Sequence, residues 1–406
     1  MIRCALVITK ERMEDNYTGL GEILFPVAAG QASSRAELQS ATGLSRVTVT
    51  QRLNKLFRIG LIVETPETRP SGGRPSRTVR LNPAAGFMLV GDVGERAIRL
   101  ATVDLDLAVI AQSELSYAPG ASPVKTLGRI VAELSRLSRE TRTSGPPIGA
   151  CLSLPAPVDF HGGRVVGPSI LTGWDDLDIC ARLSSALGVP AFIENDVNLM
   201  TLCEHRVSHG DTDDFFFIKV GTGIGSGFIT GGRLFRGASG AAGDIGHIQF
   251  IDDDAPLCRC GKLGCVEARA AGWALARDLT ALGLEATDAR GVLTHLQAGR
   301  PEAIMHLRAA SRTIGEVVSD VVSVLNPRTI VLGGTLSEAG QLLASGVREL
   351  VYQRCLPLAT ANLDIRLAEP SSDRALRGAA HLMFELAFSR SEINSAISRL
   401  AAAPAQ

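Results

Sequence analysis

The chain has 406 residues, of which 45% are hydrophobic and 20% are charged, and its formal net charge is −1. This length predicts two or more domains, and the composition is that of an ordinary globular protein and not of a disulfide framework. No apolar run is long enough to cross a bilayer, and the N-terminus has no clear signal-peptide cleavage site, so we expect a cytoplasmic protein without a membrane partner.

The segment from Ser34 to Arg80 is basic although the whole chain is nearly neutral. It contains nine lysine and arginine residues against three glutamates, which gives a local net charge of about +6. A local excess of positive charge favours a polyanionic partner such as nucleic acid, whereas a solvated charged surface is the alternative explanation.

Two short helices are predicted inside this segment. The first covers residues 35–42 and is capped by Ser33 or Ser34; Gly43 then makes a turn, and Ser45 caps the second helix, 46–58. With an earlier helix over 17–29 packed behind them, they form a helix-turn-helix. Its outer face is expected to contact DNA bases and phosphates through Ser45, Arg46, Thr48, Thr50, Gln51, Arg52 and Lys55.

A β-hairpin wing is predicted after the second helix. Its strands cover 61–64 and 78–81, and the loop between them is rich in proline and glycine. Arg74 at the tip is slim enough to enter a DNA minor groove, although a flexible linker is an equally good interpretation. The composition changes at 82–84, which predicts a winged helix-turn-helix domain over 1–82 and a second domain over 83–406.

The rest of the chain is predicted to be an α/β body with two similar halves. The first half has strands at 87–93, 97–103, 108–114, 148–154 and 191–194, with helices at 124–141, 177–187 and 197–208. The second has strands at 215–220, 226–230, 245–250 and 329–332, and helices that continue to about residue 398. Two such series predict an internally duplicated, two-lobed body with a cleft between its lobes.

One histidine and three cysteines lie close together in the segment 247–265. Their types and spacing are typical of a tetrahedral zinc site, and the predicted ligands are His247, Cys258, Cys260 and Cys265. Four protein ligands leave no open coordination position, so the zinc is expected to be structural. The alternative is a set of buried cysteines beside a chance histidine, which is how the remaining scattered cysteines are interpreted.

Two other motifs in the body each allow more than one interpretation. Residues 221–227 are rich in glycine and follow an apolar strand, as in an anion-binding loop, but a simple tight turn has the same pattern. Glu194, Asn195 and Asp196 join a strand to a helix. Asp196 can act as a general base or hydroxyl acceptor, and either Asn195 or Asp196 can instead cap the helix.

Three of these segments together resemble the ROK family of repressors and sugar kinases: 194–198, 237–247 and 258–267. The resemblance covers nearly the whole chain and implies an actin-like, ribonuclease H-like sugar-kinase body with a structural zinc. It implies that Asn195, Asp196, His247 and Glu267 contact sugar hydroxyls, with Asp244 beside them where the family usually has glutamate. Asp196 matches the aspartate that deprotonates the sugar in the family's kinases.

Two departures from the family pattern affect the expected chemistry. The kinases hold ATP phosphates with a loop of the type Asp-x-Gly-Gly-Thr, and here the matching residues after Asp92-Val93-Gly94 are Glu95 and Arg96. A carboxylate repels phosphate and a hydroxyl is lost, so we expect no efficient phosphoryl transfer and a vestigial role for Asp196. Asp244 stands where the family usually has glutamate, and Ser169 where it often has asparagine. We expect the shorter carboxylate of Asp244 either to shift which sugar fits or to abolish sugar binding.

The sequence therefore predicts a transcriptional repressor whose binding to double-stranded operator DNA responds to a sugar or sugar phosphate. A single helix-turn-helix binds DNA weakly, so a homodimer or homotetramer is expected. An active sugar kinase with a DNA-binding head is the alternative, and a scaffold that uses the body only for oligomerisation is a third possibility.

Overall fold

The computed structural model describes residues 17–69, 76–94, 97–118, 120–141, 145–167 and 171–402. Its helices are α1 (Leu20–Ala28), α2 (Arg35–Thr42), α3 (Arg46–Arg58), α4 (Pro123–Glu140), α5 (Ile179–Leu187), α6 (Asp196–Ser208), α7 (Val266–Ala270), α8 (Gly272–Ala281), α9 (Ala289–Gln297), α10 (Pro301–Leu325), α11 (Gln341–Arg354), α12 (Pro357–Thr360), α13 (Arg374–Ala387) and α14 (Ile393–Ala401). None of the helices within these ranges has the length and apolar character needed to cross a membrane.

The strands are β1 (Ile62–Arg69), β2 (Ser76–Leu81), β3 (Phe87–Val93), β4 (Ala97–Asp104), β5 (Val109–Ser116), β6 (Pro147–Leu154), β7 (Val158–Asp159), β8 (Arg164–Val165), β9 (Ala191–Asn195), β10 (Phe215–Val220), β11 (Ile224–Thr230), β12 (Arg233–Phe235), β13 (Thr329–Gly333) and β14 (Asp364–Leu367). Short 3₁₀ turns cover Pro83–Ala85, Ile245–His247 and Thr335–Ala339.

The N-terminal head, residues 17–82, consists of α1, α2, α3 and the ribbon β1–β2. A capping box begins α2: the Glu37 amide donates to the Ser34 hydroxyl, and the Glu37 carboxylate accepts from the Ser34 amide. Gly43 ends α2 with a φ of 70°, a conformation that glycine adopts without strain. Ser45 then caps α3 by accepting from the Thr48 amide. The predicted bounds of both helices are confirmed.

The ribbon is longer than predicted because β1 continues past Glu64. Ile62 lies opposite Leu81 and Arg69 opposite Ser76, with a shift of register between Glu64 and Thr68. A bulge of this kind accommodates proline, which cannot donate to the ladder, and Pro66 lies within it. Arg74, the predicted minor-groove residue, lies outside the described residues.

The body contains two five-stranded sheets with the same order of strands. The first runs β5-β4-β3-β6-β9 and the second runs β12-β11-β10-β13-β14. In each sheet the first three strands pair antiparallel and the last two add in parallel. The predicted α/β class and internal duplication are therefore confirmed.

The predicted strand over 245–250 is wrong. This segment forms a 3₁₀ turn followed by a loop, and the third strand of the second sheet is β12 instead. The alternation of apolar and polar residues imitates a strand, but Gly246 lies so close to the Ile224 carbonyl that a Cβ atom would be 2.2 Å from its oxygen. Neither β12 nor β14 was predicted, because each mixes charged and apolar residues and lacks the apolar run by which equally short strands such as 329–332 were recognised.

Each sheet packs its outer face against its own helices and shares its inner face with the other lobe. The first outer core includes α4 and α5, and the second includes α7 to α11. Between the sheets lie α6 and α13, whose Leu199 and Met383 join one apolar cluster with Val90 of the first sheet and Phe217 of the second. The N-terminus of α6, which carries Asp196, is thus held between the lobes.

The head is packed against the last helix of the chain. Leu20 and Ile23 of α1 belong to the same buried cluster as Ile393 and Ile397 of α14. The Arg390 guanidinium carbon lies 4.3 Å from the centroid of the Phe25 ring. The head is therefore docked on the body, while its division from the body at residue 82 as an independent domain stays a prediction.

Candidate functional site

The predicted zinc ligands meet at one point. One donor atom from each of His247, Cys258, Cys260 and Cys265 lies within 4.8 Å of the donor atoms of the others. The His247 Nδ1 is 3.8 Å from the Cys258 sulfur, and the Cys260 and Cys265 sulfurs are 3.7 Å apart. Thiolates about 2.3 Å from a tetrahedral zinc lie about 3.8 Å from one another, so these side chains fit the ion.

The loop around the thiols is folded by backbone contacts. The Cys258 amide donates to the Lys262 carbonyl, and the Gly264 amide donates to the Pro256 carbonyl. Gly264 has a φ of 72° and lies against the Phe250 carbonyl, so another residue there would be strained and would collide. Burial raises the pKa of the Cys265 thiol to about 12, a cost that a divalent cation would offset by stabilising the thiolate.

The two ring nitrogens of His247 face different partners. While Nδ1 points to the cysteines, Nε2 lies 4.0 Å from the carboxylate of Asp244. A metal on Nδ1 would leave Nε2 carrying the hydrogen, and it would donate toward Asp244 or a ligand.

A cleft of about 560 Å³ opens beside this histidine, between the lobes. All five predicted sugar-binding residues line it: Asn195, Asp196, Asp244, His247 and Glu267. They come from the start of α6, the 3₁₀ turn and α7, three segments far apart in the chain. The structure therefore brings the predicted residues together, and their contact with a sugar stays a prediction.

Asn195 serves as the N-cap of α6. Its Oδ1 accepts from the amides of Val197 and Asn198, at 3.0 and 3.2 Å, and its Nδ2 donates to the Ala156 carbonyl. The capping interpretation is thus confirmed for Asn195, and the neighbouring Asp196 carboxylate is left to face the cleft.

Asp196 forms an ion pair with Lys219 of β10. The Lys219 ammonium donates to Asp196 Oδ2 at 2.6 Å, while Oδ1 accepts from the Val197 amide. The sequence reasoning missed Lys219, although it is the one charged residue in the otherwise apolar strand Phe215–Val220, which is a signal that could have found it. A hydroxyl that approaches Oδ2 has to share that oxygen with the ammonium or displace it.

Glu267 links the metal loop to the glycine-rich segment. Its Oε2 accepts from the Ile224 amide at 3.1 Å, and its Oε1 accepts from the Trp273 indole at 3.2 Å. Residues Gly221 to Gly223 form the turn between β10 and β11, as the tight-turn interpretation predicted. Glu267 follows Cys265 by two residues, so its position depends on the fold of the metal loop.

A second ion pair that the sequence did not reveal joins the two lobes. Arg236 donates to the buried Glu194 carboxylate at 2.6 Å, and its guanidinium lies 4.0 Å above the ring of Phe160. Glu194 and Phe160 belong to the first lobe, whereas Arg236 follows β12 of the second. This arginine therefore ties the lobes together.

A second cleft, of about 610 Å³, shares Asp196, Lys219 and Pro155 with the first. Asp92 lies in it, buried, with one oxygen accepting from the Ser153 hydroxyl and the other 3.2 Å from Arg99. Burial raises the pKa of the Asp92 carboxyl, although Ser153 and Arg99 oppose the shift. Gly221 and Thr222 also line this cleft. Glu95, Arg96 and Ser169 lie outside the described residues.

The predicted DNA-contacting residues of α3 differ in their surroundings. Ser45, Arg46, Gln51 and Lys55 are exposed. The Thr48 hydroxyl contacts Ser45, and the Thr50 hydroxyl donates to the Arg46 carbonyl. Arg52 donates to Glu22 of α1 at 2.6 Å and is largely covered. The exposed members are therefore the ones free to reach a partner, and their contact with DNA stays a prediction.

Comparison with known proteins identifies the family. The ROK family model matches residues 89–385. The chain belongs to the ROK family. A putative xylose repressor from Caldicellulosiruptor sp. (strain Rt8B.4) is 27% identical over 354 residues, which cover 82% of this chain and 86% of the relative.

Two solved ROK structures match different lengths of the chain. The crystal structure of a ROK family transcriptional regulator, a homologue of the Escherichia coli MLC protein, covers 95% of this chain and 98% of its own, with a TM-score of 0.80 and 21% identity. The structure of a ROK family glucokinase from Streptomyces griseus in complex with glucose and AMPPNP is 26% identical, with a TM-score of 0.61. It covers 73% of this chain and 99% of its own. The whole glucokinase thus corresponds to about three quarters of this ROK chain.

Proposed function

We propose that this ROK protein is a sugar-responsive transcriptional repressor that binds double-stranded operator DNA. The observation that carries the proposal is the combination of a basic head, built as helix, turn, helix and β-ribbon, with a cleft that gathers five polar side chains. The likeness to a putative xylose repressor over 82% of the chain supports it. So does the likeness in fold to a transcriptional regulator over head and body together.

The head would bind DNA as a winged helix-turn-helix, with α3 in the major groove. Ser45, Arg46, Thr48, Thr50, Gln51 and Lys55 would supply base and phosphate contacts, with Arg52 positioned by Glu22 and Arg74 reaching a minor groove. Two heads are needed for tight binding to a two-fold symmetric operator, so the active form would be a homodimer or homotetramer.

The cleft of the body would bind a sugar or sugar phosphate. Carboxylates of Asp196, Asp244 and Glu267 accept hydrogen bonds from hydroxyls, and His247 Nε2 and the Asn195 amide can donate. The cleft lies between two lobes that Arg236 joins. A ligand that binds one arrangement of the lobes more tightly would shift the lobes toward that arrangement, and with them α14, on which the head is packed.

Zinc would be the structural cofactor, held by His247, Cys258, Cys260 and Cys265. When bound it supplies a crosslink between the 3₁₀ turn and the cysteine loop. His247 and Glu267 flank that crosslink, so their orientation in the cleft would depend on it.

The body would not act as a kinase. In family kinases the aspartate at the position of Asp196 takes the proton of the sugar hydroxyl, but here Lys219 occupies one of its oxygens at 2.6 Å. Glu95 and Arg96 replace the glycine and threonine of the phosphate loop in the sequence. Both features act against phosphoryl transfer, one at the base and the other at the phosphate loop.

The test is to measure DNA binding by the full-length protein with and without sugars. A duplex selected from a random-sequence pool serves as the probe, and fluorescence anisotropy is recorded against a panel of free and phosphorylated pentoses, hexoses and amino sugars. At least one sugar should change the Kd by about tenfold, a coupling of about 1.4 kcal/mol. Failure to enrich any duplex would contradict the DNA assignment, and enrichment with no response to any sugar would contradict the sensor role.

An active sugar kinase with a DNA-binding head remains the second candidate, favoured by the retained Asp196 and by the likeness to a glucokinase. ADP release is measured with the same sugars. Sugar-dependent turnover of about 1 per second or faster would establish the kinase, whereas its absence from a protein that binds sugar supports the repressor.

A further inference from the structure

The outward face of α3 contains one apolar residue. Val49, Leu53 and Leu56 are buried in the head, and the stripe on the opposite side of the helix consists of Val47, Gln51, Asn54 and Arg58. These four residues recur at the spacing i, i+4, i+7 and i+11, so they form one line along the helix. All four are exposed, and the Val47 side chain is 65% exposed.

Val47 has no role in the core of the head. It lies in the first turn of α3, directly after Arg46 and two residues beyond the Ser45 cap. Isolated exposed apolar side chains are common on proteins. The position of this one is informative because the N-terminal turn of the second helix is the part of a helix-turn-helix that meets the base edges.

The neighbours of Val47 on the stripe indicate which bases it would meet. Gln51 is one turn further along, about 6 Å away, which corresponds to about two base-pair steps. Glutamine and asparagine pair with the N6 and N7 atoms of adenine, and an apolar side chain packs on the C5 methyl of thymine. The two residue types therefore read the two partners of A·T base pairs.

We propose that Val47 is a base-reading residue that packs against the C5 methyl of a thymine in each operator half-site, about two base pairs from an adenine read by Gln51. The proposal rests on the DNA-binding function proposed above. A β-branched side chain has few rotamers in a helix, so little conformational entropy is lost when its methyl groups contact a base.

The test removes the methyl group from the DNA and the side chain from the protein separately. Full-length protein selects duplexes from a random-sequence pool, and each thymine of the selected half-site is then replaced by deoxyuridine, which lacks only the methyl. One such replacement should weaken binding by the wild type about fourfold. Val47→Ala should bind the thymine duplex about fourfold more weakly and should be insensitive to that same replacement. Val124→Ala, which truncates an exposed valine on α4 of the body, should behave like the wild type.

The outcomes separate this proposal from the function on which it rests. If no thymine of the selected half-site is sensitive to loss of its methyl, or if Val47→Ala keeps the same sensitivity as the wild type, the role of Val47 is wrong while DNA binding stands. If the pool enriches no duplex, the proposed function itself fails. The contact is supported if Val47→Ala and the loss of the thymine methyl together weaken binding by less than the sum of their separate effects, and only at one thymine of each half-site.

Discussion

The head and the body differ in how each one is stabilised. The body has a large core on the outer face of each of its two sheets, and a third cluster between them. The head has only a small core around Leu38, Val49 and Leu53, and its α1 completes its burial against α14, from the far end of the chain. The head thus depends on the body for part of its stability. A movement of α14 in the body would therefore be transmitted directly to the head.

Removing the metal should have the largest effect, and it should act on the body. Because Cys265 is fully buried among the ligands, Cys265→Ser should cost about 5 kcal/mol or more and lower the Tm by at least about 5 °C. Zinc content is measured by mass spectrometry and the Tm by calorimetry. Cys355→Ser is the matched control, since Cys355 is buried away from the cluster and its thiol donates to the Ser319 carbonyl, as a serine hydroxyl can. A chelated protein with unchanged Tm would count against the zinc.

Weakening α14 should separate the two regions. Ile397 is fully buried beneath α1, so Ile397→Ala should cost about 2–4 kcal/mol and loosen the head more than the body. Hydrogen exchange is the measurement: amides of α1 should exchange faster while those of α10 remain protected. Ser395→Ala, an exposed change on the same helix, should leave both unchanged. Equal loss of protection in α1 and α10 would mean that the head and the body unfold as a single unit.

Arg46→Ala tests the reading surface of the head alone. Arg46 is exposed at the first position of α3, so its loss should weaken binding to the selected duplex by about 1–3 kcal/mol and leave the Tm of the body unchanged. Binding is measured by anisotropy at a fixed salt concentration. Arg308→Ala, which removes an exposed arginine from α10, is the control for charge. Equal binding by both variants would move the DNA surface elsewhere.

The smallest expected effect concerns the body and is a change in how its stability depends on pH. Burial, and then the charges of Arg206 and Arg377, lower the pKa of His381 to about 4. An unfolded histidine takes up its proton near pH 6.5, so between pH 6.5 and 4 the unfolded state binds more protons and stability falls as the pH falls. His381→Gln should remove about 1–3 kcal/mol of this loss, as measured by urea unfolding at pH 7 and pH 5. An unchanged slope would contradict the shift.

Local signals in the sequence were enough to predict much of this fold. Ser34, Gly43 and Ser45 mark the ends of the head helices, and the apolar strands of both sheets are long enough to recognise. β14 pairs with β13, from which α11 and α12 separate it along the chain, and one segment of sequence does not encode such a pairing. β12 pairs with β11 across Gly231 and Gly232, a two-glycine hairpin signal that the prediction overlooked. Residues 245–250 were wrongly predicted to be a strand. The close approach of the Ile224 carbonyl, which requires a glycine at position 246, is visible only in three dimensions.

The sequence predicted which residues form the candidate site, but it did not predict the ion pairs that join them to other parts of the body. The metal ligands and the five cleft residues follow from residue type, spacing and family resemblance. Lys219 lies on β10 and Arg236 follows β12, and they meet Asp196 and Glu194 only when the lobes assemble. Their ion pairs therefore could not be predicted from the motif that contains the two acids. The sequence did not show whether Asn195 or Asp196 caps α6. The hydrogen bonds from the Val197 and Asn198 amides to Asn195 Oδ1 show that Asn195 does.

The ammonium of Lys219 belongs to the walls of both clefts. An anion in one cleft that attracts this group would change the charge that Asp196 presents to the other. If both clefts bind a ligand, the two affinities would be coupled through Lys219, and each ligand would change the affinity of the other by the same factor. The lysine side chain would in this way make the response of the protein depend on the ligands of both clefts.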